Sequence, residues 1–149
     1  MTERTFICNT EEDTRAFGAR LAKELFPGAF VALYGELGAG KTALVQGVGE
    51  ALGAEDILSP TFTIVEEHDT SPRLYHFDVY RLSGEDELYA MGYEDYLRSD
   101  GAILMEWANL VPLALPGARL DITIETDGDV RKLTCTPHGE RYEGMVKRL

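Results

Sequence analysis

The sequence predicts one three-layer α/β/α domain over residues 1–149, with a mixed, mostly parallel central sheet plus antiparallel hairpins. Three observations predict this α/β fold. The apolar run 30–34, a glycine-rich segment and a helical pattern over 43–52 follow one another, as in a strand–turn–helix unit of a parallel sheet. Residues 102–107 form a second buried-strand pattern. The segments 120–125 and 130–136 flank an Asp-Gly-Asp turn, which is a strong hairpin signal.

Two elements are predicted before the first apolar run. Residues 5–8 have the composition of a short strand. Thr10, with Asp13 three residues later, forms a capping box that begins a helix. Pro27-Gly28 ends this helix, because proline donates no backbone N–H and glycine tolerates the turn. The strand 30–34 and the helix up to Gly53 follow.

The second half of the chain alternates between strand and helix patterns. The β-rich segments 61–68 and 73–80 flank a turn-like stretch, so they predict an antiparallel hairpin. The remaining predicted elements are short helices at 85–90 and 94–97, the strand 102–107, the hairpin 120–136 and a closing helix at 140–149.

Composition narrows the classes of function. The 26 acidic and 14 basic residues give a formal net charge of −12, which repels nucleic acid, so no direct nucleic-acid binding is expected. Solubility or a basic protein partner explains this negative charge better. No apolar run reaches the length of a membrane span, and the first residues lack a signal-peptide pattern, so we expect a cytoplasmic location. Cys8 and Cys135 are expected to be buried free thiols in that reducing compartment.

Residues 35–42, Gly-Glu-Leu-Gly-Ala-Gly-Lys-Thr, fit the phosphate-binding loop G-x-x-x-x-G-K-[ST] at every position. A strand before the loop and a helix after it turn backbone N–H groups and the positive helix end toward a phosphate. The pattern therefore predicts a P-loop NTPase-like fold. Lys41 can reach the β- and γ-phosphates, and the Thr42 hydroxyl can ligate Mg²⁺. The predicted nucleotide-binding residues of the loop are Gly35, Gly38, Ala39, Gly40, Lys41 and Thr42.

The expected nucleotide is ATP rather than GTP. Asn-Lys-x-Asp, the guanine-reading motif of GTPases, does not occur in the sequence, because neither Asn9 nor Asn109 precedes a lysine.

Hydrolysis needs an acidic residue at a strand end that holds Mg²⁺ or its water. Asp78 ends the apolar stretch 74–78 and Glu106 ends 103–106. The sequence leaves open which of the two binds the metal directly. We predict Glu106 and Thr42 as metal ligands. Asp78 is predicted to order a water molecule or the metal without binding the metal directly. The predicted catalytic residues are Lys41, Asp78 and Glu106.

Three other features near these motifs allow two interpretations each. Ser59, Thr61 and Thr63 are interpreted as a nucleotide switch segment, or as a polar turn that enters a strand. Trp107 is expected in the core, with a lid beside the site as the alternative. His76 is expected to be a packed, hydrogen-bonded histidine rather than a catalytic one.

Four motifs together resemble one family. The phosphate loop, Ser-Pro-Thr-Phe-Thr at 59–63, His-Phe-Asp-Val-Tyr-Arg-Leu at 76–82 and Glu106-Trp107 occur in the order and approximate spacing of the bacterial TsaE (YjeE) ATPases. The resemblance implies an ATPase needed to make N6-threonylcarbamoyladenosine at position 37 of tRNAs that read codons beginning with A. It also implies that the protein acts in a complex with TsaB and TsaD. In that complex TsaD carries the transferase site, and the weak ATPase activity of the TsaE-like subunit increases.

The resemblance also implies roles for individual residues. It places phosphates on Gly38–Thr42, Mg²⁺ on Thr42 and Glu106, and Asp78 at the catalytic metal or water. Adenine is expected near the start of the first helix, at Thr10 and Glu11, and Arg131 is a further candidate for contact with the nucleotide.

Two other functions remain open at this point. A small-molecule kinase would also use a phosphate loop, but such kinases usually carry an arginine-rich lid over the transferred phosphate. The only arginines in the sequence between Asp78 and Arg119 are Arg81 and Arg98. A nucleotide-gated binding module without useful catalysis is the second alternative.

Overall fold

The computed structural model describes residues 3–36, 40–54 and 64–149. The described strands are β1 (Arg4–Cys8), β2 (Phe30–Tyr34), β3 (Val65–His68), β4 (Leu74–Asp78), β5 (Ala102–Glu106), β6 (Arg119–Asp127) and β7 (Val130–His138). The described helices are α1 (Glu11–Glu24), α2 (Lys41–Leu52), α3 (Glu85–Ala90), α4 (Tyr93–Arg98) and α5 (Glu140–Arg148), with single 3₁₀ turns at Ala108–Leu110 and Pro112–Ala114.

All seven described strands belong to one sheet in the order β1-β7-β6-β2-β5-β4-β3. The four strands β6, β2, β5 and β4 are paired in parallel, whereas β1, β7 and β3 join through antiparallel pairs. Because β1 reverses the direction of β7, it runs with the central strands, and only β7 and β3 oppose them. The predicted mixed, mostly parallel sheet with antiparallel additions is confirmed.

Helices cover both faces of this sheet, as the three-layer prediction requires. Strand residues alternate between the two faces. Val31 and Leu33 of β2 pack into a cluster with the buried faces of α1, α2 and α5, while Phe30 and Ala32 face α3, α4 and the 3₁₀ turns. We call the α1–α2–α5 side the loop face, because it carries the helix that follows the phosphate loop.

Two glycines set the distance between α1 and α2. A Cβ on Gly47 would lie 2.2 Å from the carbonyl oxygen of Arg15, and a Cβ on Gly18 would lie 2.4 Å from that of Leu44. The backbones of the two helices are therefore in direct contact. This contact holds the start of α1 in a fixed position relative to α2.

The capping box that the sequence predicts is present at the start of α1. The Thr10 hydroxyl accepts a hydrogen bond from the Asp13 N–H at 3.0 Å, and the Asp13 carboxylate accepts one from the Thr10 N–H at 3.2 Å. Both predicted hairpins also form, although residues 61–63 of the first lie outside the described ranges. The strands of the second are longer than predicted, because their ladder continues to the pair Arg119–His138.

Both cysteines are buried free thiols, as predicted. Cys8 lies opposite Arg131 and Cys135 lies opposite Arg4 in the β1–β7 ladder, so the two thiols do not face each other. Burial raises the pKa of Cys135 to about 12. Within the described ranges, the helices are too short or too polar to cross a bilayer.

Candidate nucleotide-binding site

The phosphate loop leaves the middle of the sheet. β2 lies between β5 and β6, and the segment that follows Tyr34 emerges at the carboxyl ends of the parallel strands, where α/β folds bind their ligands. Gly40 caps α2 with φ = 97°, a left-handed conformation that glycine adopts without steric cost. Because Gly40 has no side chain to cap the helix, the first turn of α2 is suited to receive an anion. Gly38 and Ala39 lie outside the described residues.

Lys41 is held inside the protein at the start of α2. Its side chain is 5% exposed, and its Nζ donates a hydrogen bond of 2.6 Å to the carbonyl oxygen of Gly35. The same Nζ lies 3.6 Å from the ring centroid of Trp107, which is a cation–π contact. Burial lowers the pKa of Lys41, and the nearby carboxylates of Glu106 and Asp78 oppose that shift. The ammonium group is therefore poorly hydrated, and an anionic partner would stabilise its charge strongly.

Asp78 and Glu106 stand side by side at the same edge of the sheet. They are the last residues of the parallel neighbours β4 and β5 and face each other in the register, and Glu106 also pairs with Leu33 of β2. Glu106 is 4% exposed, whereas Asp78 is half-buried. Burial raises the pKa of Asp78, the nearby Glu106 carboxylate adds to this, and a hydrogen bond from the Tyr80 N–H opposes it.

This arrangement is compatible with Mg²⁺ held together with a nucleotide. Magnesium in nucleotide sites uses one or two carboxylates together with phosphate oxygens, rather than a cage of protein ligands. The described residues contain no group of three or more His, Cys, Asp or Glu side chains placed to hold a metal alone. Thr42, which is exposed in the first turn of α2, and the carboxylates of Glu106 and Asp78 could supply the oxygen ligands that this mode requires.

Arg131 lies against the phosphate loop. The Cβ that Gly40 lacks would be 3.7 Å from the Arg131 Nε, so the arginine side chain packs over the start of α2. Its Nη1 donates to the carbonyl oxygens of Gly128 and Val130 at 2.8 and 3.3 Å. The sequence suggested Arg131 only through the family resemblance, because the β6–β7 hairpin is distant from the loop along the chain.

Thr10 and Glu11 lie on the same side of the molecule as Arg131. β1 ends at Cys8 directly opposite Arg131, so the start of α1 follows beside the β6–β7 turn. Glu11 accepts a hydrogen bond of 3.2 Å from Arg15, and Arg15 also donates to Gln46 of α2 at 3.2 Å. Glu11, one of the two proposed adenine contacts, therefore connects to the loop helix through Arg15. Ser59, Thr61 and Thr63, the proposed switch residues, lie outside the described ranges.

Two contacts of this site were not predicted from the sequence. Trp107, expected in the core with a lid beside the site as the alternative, is half-buried and packs against the core. It also lies over Lys41 and against the ring of Tyr80, with the centroids of the two aromatic side chains 4.8 Å apart. Its φ of 63° is left-handed, a strained conformation for a tryptophan. His76 is hydrogen-bonded as expected, but its partner is Glu106. The sequence did contain a signal for the position of His76. Side chains alternate along a strand, so His76 lies on the same face as Asp78, which is a predicted site residue.

Comparisons with known proteins agree with the motifs. Residues 8–133 match the family model described as threonylcarbamoyl adenosine biosynthesis protein TsaE. A tRNA threonylcarbamoyladenosine biosynthesis protein TsaE from Bacillus subtilis is 43% identical over 141 residues, covering 93% of this chain and 88% of the relative. One from Streptomyces coelicolor is 43% identical over 138 residues, covering 86% and 93%. The crystal structure of YdiB from Bacillus subtilis superimposes with a TM-score of 0.83 at 36% identity, covering 98% of this chain and 93% of that one.

Proposed function

The chain belongs to the TsaE family of threonylcarbamoyl adenosine biosynthesis proteins, and from this premise we propose that it binds and hydrolyses ATP in the N6-threonylcarbamoyladenosine modification of tRNA. One observation carries the proposal. Lys41 begins the helix after the phosphate loop, and its ammonium group interacts electrostatically with the carboxylates of Glu106 and Asp78. These two carboxylates lie at the ends of two neighbouring strands. This is the set of groups that phosphoryl transfer to water requires.

In the proposed mechanism, Lys41 exchanges its protein contacts for phosphate oxygens. The Nζ leaves the Gly35 carbonyl and the Trp107 ring and pairs with the β- and γ-phosphates. Because the ammonium group is already mostly removed from water, this exchange costs little further desolvation. Backbone N–H groups at the start of α2 bind the remaining phosphate oxygens.

Mg²⁺ would neutralise charge that develops on the phosphate oxygens. Thr42 and Glu106 are the proposed ligands, and Asp78 would orient a water molecule or support the metal. The repulsion between the two adjacent carboxylates, which adds to the raised pKa of Asp78, favours a cation at this edge. Thr10, Glu11 and Arg131 are the proposed contacts for the rest of the nucleotide.

We propose that the chain acts in the cytoplasm with TsaB and TsaD. In this scheme TsaD carries the transferase site, and assembly raises a low intrinsic rate of ATP hydrolysis. The net charge of −12 supports binding to a protein partner rather than directly to tRNA, because phosphate backbones are repelled by such a surface.

The direct test is phosphate release from ATP with Mg²⁺, measured with and without TsaB and TsaD. The wild type is compared with Glu106→Ala and with Lys23→Ala, which removes an exposed lysine in the last turn of α1. We expect turnover in the complex, its loss in Glu106→Ala, and no change in Lys23→Ala. If ATP binds but phosphate release stays at background even in the complex, the chain is a nucleotide-gated binding module instead.

The contacts of two arginines that follow Asp78 bear on the kinase alternative. Arg98 is exposed and donates to Glu94 at 3.0 Å, and Arg119 donates to Asp121 at 2.9 Å. Both arginines thus have carboxylate partners within their own local structure, whereas a lid needs arginines directed to a transferred phosphate. A metabolite screen for phosphorylated products tests this directly, and we expect none.

A further inference from the structure

We propose that His76 is a positioning residue that holds the carboxylate of Glu106 in the orientation needed for Mg²⁺; this inference rests on the proposed function. His76 is 1% exposed, and its Nε2 lies 2.5 Å from Oε2 of Glu106. A carboxylate can only accept hydrogen bonds, so Nε2 carries the hydrogen and donates. The imidazole therefore engages one defined oxygen of the proposed metal ligand.

The sheet register explains why these two residues meet. His76 lies opposite Leu104 in the parallel β4–β5 pair, and Glu106 is two residues further along β5. Residues two apart on a strand share a face, so His76 and Glu106 are diagonal neighbours within reach of long side chains. Leu74 and Leu104, which are fully buried on the loop face, lie on the interior side of this pair. His76 thus occupies the boundary between the apolar core and the carboxylates at the sheet edge.

Packing alone does not account for a histidine at this position. Its Nδ1 is buried and has no hydrogen-bond partner among the residues that the structure describes. Burying a polar atom without a partner costs free energy, which an apolar side chain of similar size would avoid. The feature that an apolar residue cannot supply is the hydrogen bond to Glu106.

That hydrogen bond restricts the rotation of the Glu106 carboxylate. With Oε2 engaged by Nε2, Oε1 would be the oxygen left to hold a cation. Groups that orient a metal ligand in this way typically change metal affinity or activity 10–100-fold when removed, roughly the effect we expect here.

Three substitutions separate this role from packing. In His76→Gln the amide nitrogen lies about where Nε2 does, so the donor to Glu106 is kept. In His76→Asn the amide nitrogen lies near the position of Nδ1 and does not reach Glu106. In His76→Phe the ring shape is kept without a donor. Thermal melting of each variant shows which of them fold.

The main measurement is the Mg²⁺ concentration that half-saturates ATP binding and hydrolysis. For His76→Phe and His76→Asn we expect this concentration to rise and kcat to fall, each about 10-fold or more, with ATP affinity in the absence of Mg²⁺ unchanged. His76→Gln is expected to recover most of the loss. Wild-type Mg²⁺ dependence in a folded His76→Phe would overturn the inference, as would losses that follow the melting temperature rather than the donor.

A second measurement needs neither nucleotide nor metal. In the NMR spectrum of the free protein, we expect a downfield Nε2–H resonance of His76 that moves upfield in Glu106→Gln, because an amide oxygen is a weaker acceptor than a carboxylate. An unchanged resonance would overturn the inference while leaving the proposed function standing. If the wild type shows no Mg²⁺-dependent ATP binding, the proposed function fails, and the role of His76 fails with it.

Discussion

The contact between α1 and α2 at Gly47 makes a quantitative prediction. In Gly47→Ala, the new methyl carbon would lie 2.2 Å from the carbonyl oxygen of Arg15 and 2.8 Å from its Cα and carbonyl carbon. These are backbone atoms of a helix and cannot turn aside as a side chain does. The two helices must therefore separate by roughly 1 Å to restore ordinary van der Waals contact.

The expected loss of stability is the difference between two effects. Overpacking a well-packed interior costs about 1–3 kcal/mol. Replacing glycine by alanine inside a helix returns about 0.5–1 kcal/mol, because the unfolded chain loses conformational freedom. The backbone contact places the cost in its upper range, so we expect the free energy of unfolding to fall by about 1–2 kcal/mol. For a chain of this length that lowers the melting temperature by about 3–6 °C.

Gly144→Ala is the matched control, since it makes the same substitution inside α5. There the three atoms nearest to the new methyl carbon belong to the Arg148 guanidinium, the closest at 3.2 Å, which is the end of a flexible side chain. Thermal unfolding followed by circular dichroism should show a melting temperature at or above that of the wild type for Gly144→Ala, and a clear decrease for Gly47→Ala. Equal melting temperatures for the two variants would refute the claim that the helix backbones touch at Gly47.

Four further outcomes are expected. Lys41→Ala should weaken ATP binding and abolish turnover, because the phosphates lose a buried cation, and unchanged titration calorimetry and kinetics would contradict the site. Thr42→Ala should impair Mg²⁺-dependent turnover more than nucleotide binding, as measured by comparing Kd with kcat. Trp107 is the only tryptophan, so its fluorescence should change saturably with Mg²⁺–ATP, and should not change in Lys41→Ala, because Lys41 leaves the ring when it binds phosphate. Burial raises the pKa of Cys135 to about 12, so the protonated thiol stabilises the fold fully below pH 9, and this stabilisation is lost as the pH rises above 9. Between pH 8 and 10 the free energy of unfolding of the wild type should therefore fall by about 1 kcal/mol more than that of Cys135→Ala, as measured by denaturant titrations.

Local signals were sufficient to predict the elements that carry the phosphate loop. β2 spans Phe30–Tyr34 as predicted, because a continuous apolar run has few alternatives to a buried strand. α2 ends at Gly53 in a left-handed conformation that glycine favours, and the capping box of Thr10 depends on residues three apart. The Gly128 turn likewise specified the β6–β7 hairpin.

The arrangement of the site was decided by the order of the strands. Asp78 and Glu106 are adjacent because β4 pairs with β5, and the same pairing brings His76 to Glu106. A pattern along the chain shows that a strand has a buried face but not which strand lies beside it, since many orders bury the same apolar area. The Lys41–Trp107 contact and the approach of Arg131 to Gly40 depend on the same packing.

The sequence by itself determined the candidate residues for the proposed chemistry, because the phosphate loop and its flanking elements are encoded by neighbours along the chain. Only the tertiary structure decided how those residues meet. The hydrogen bond from His76 to Glu106 and the glycine contact between α1 and α2 join residues about thirty apart, and such contacts form only when whole apolar faces are buried together.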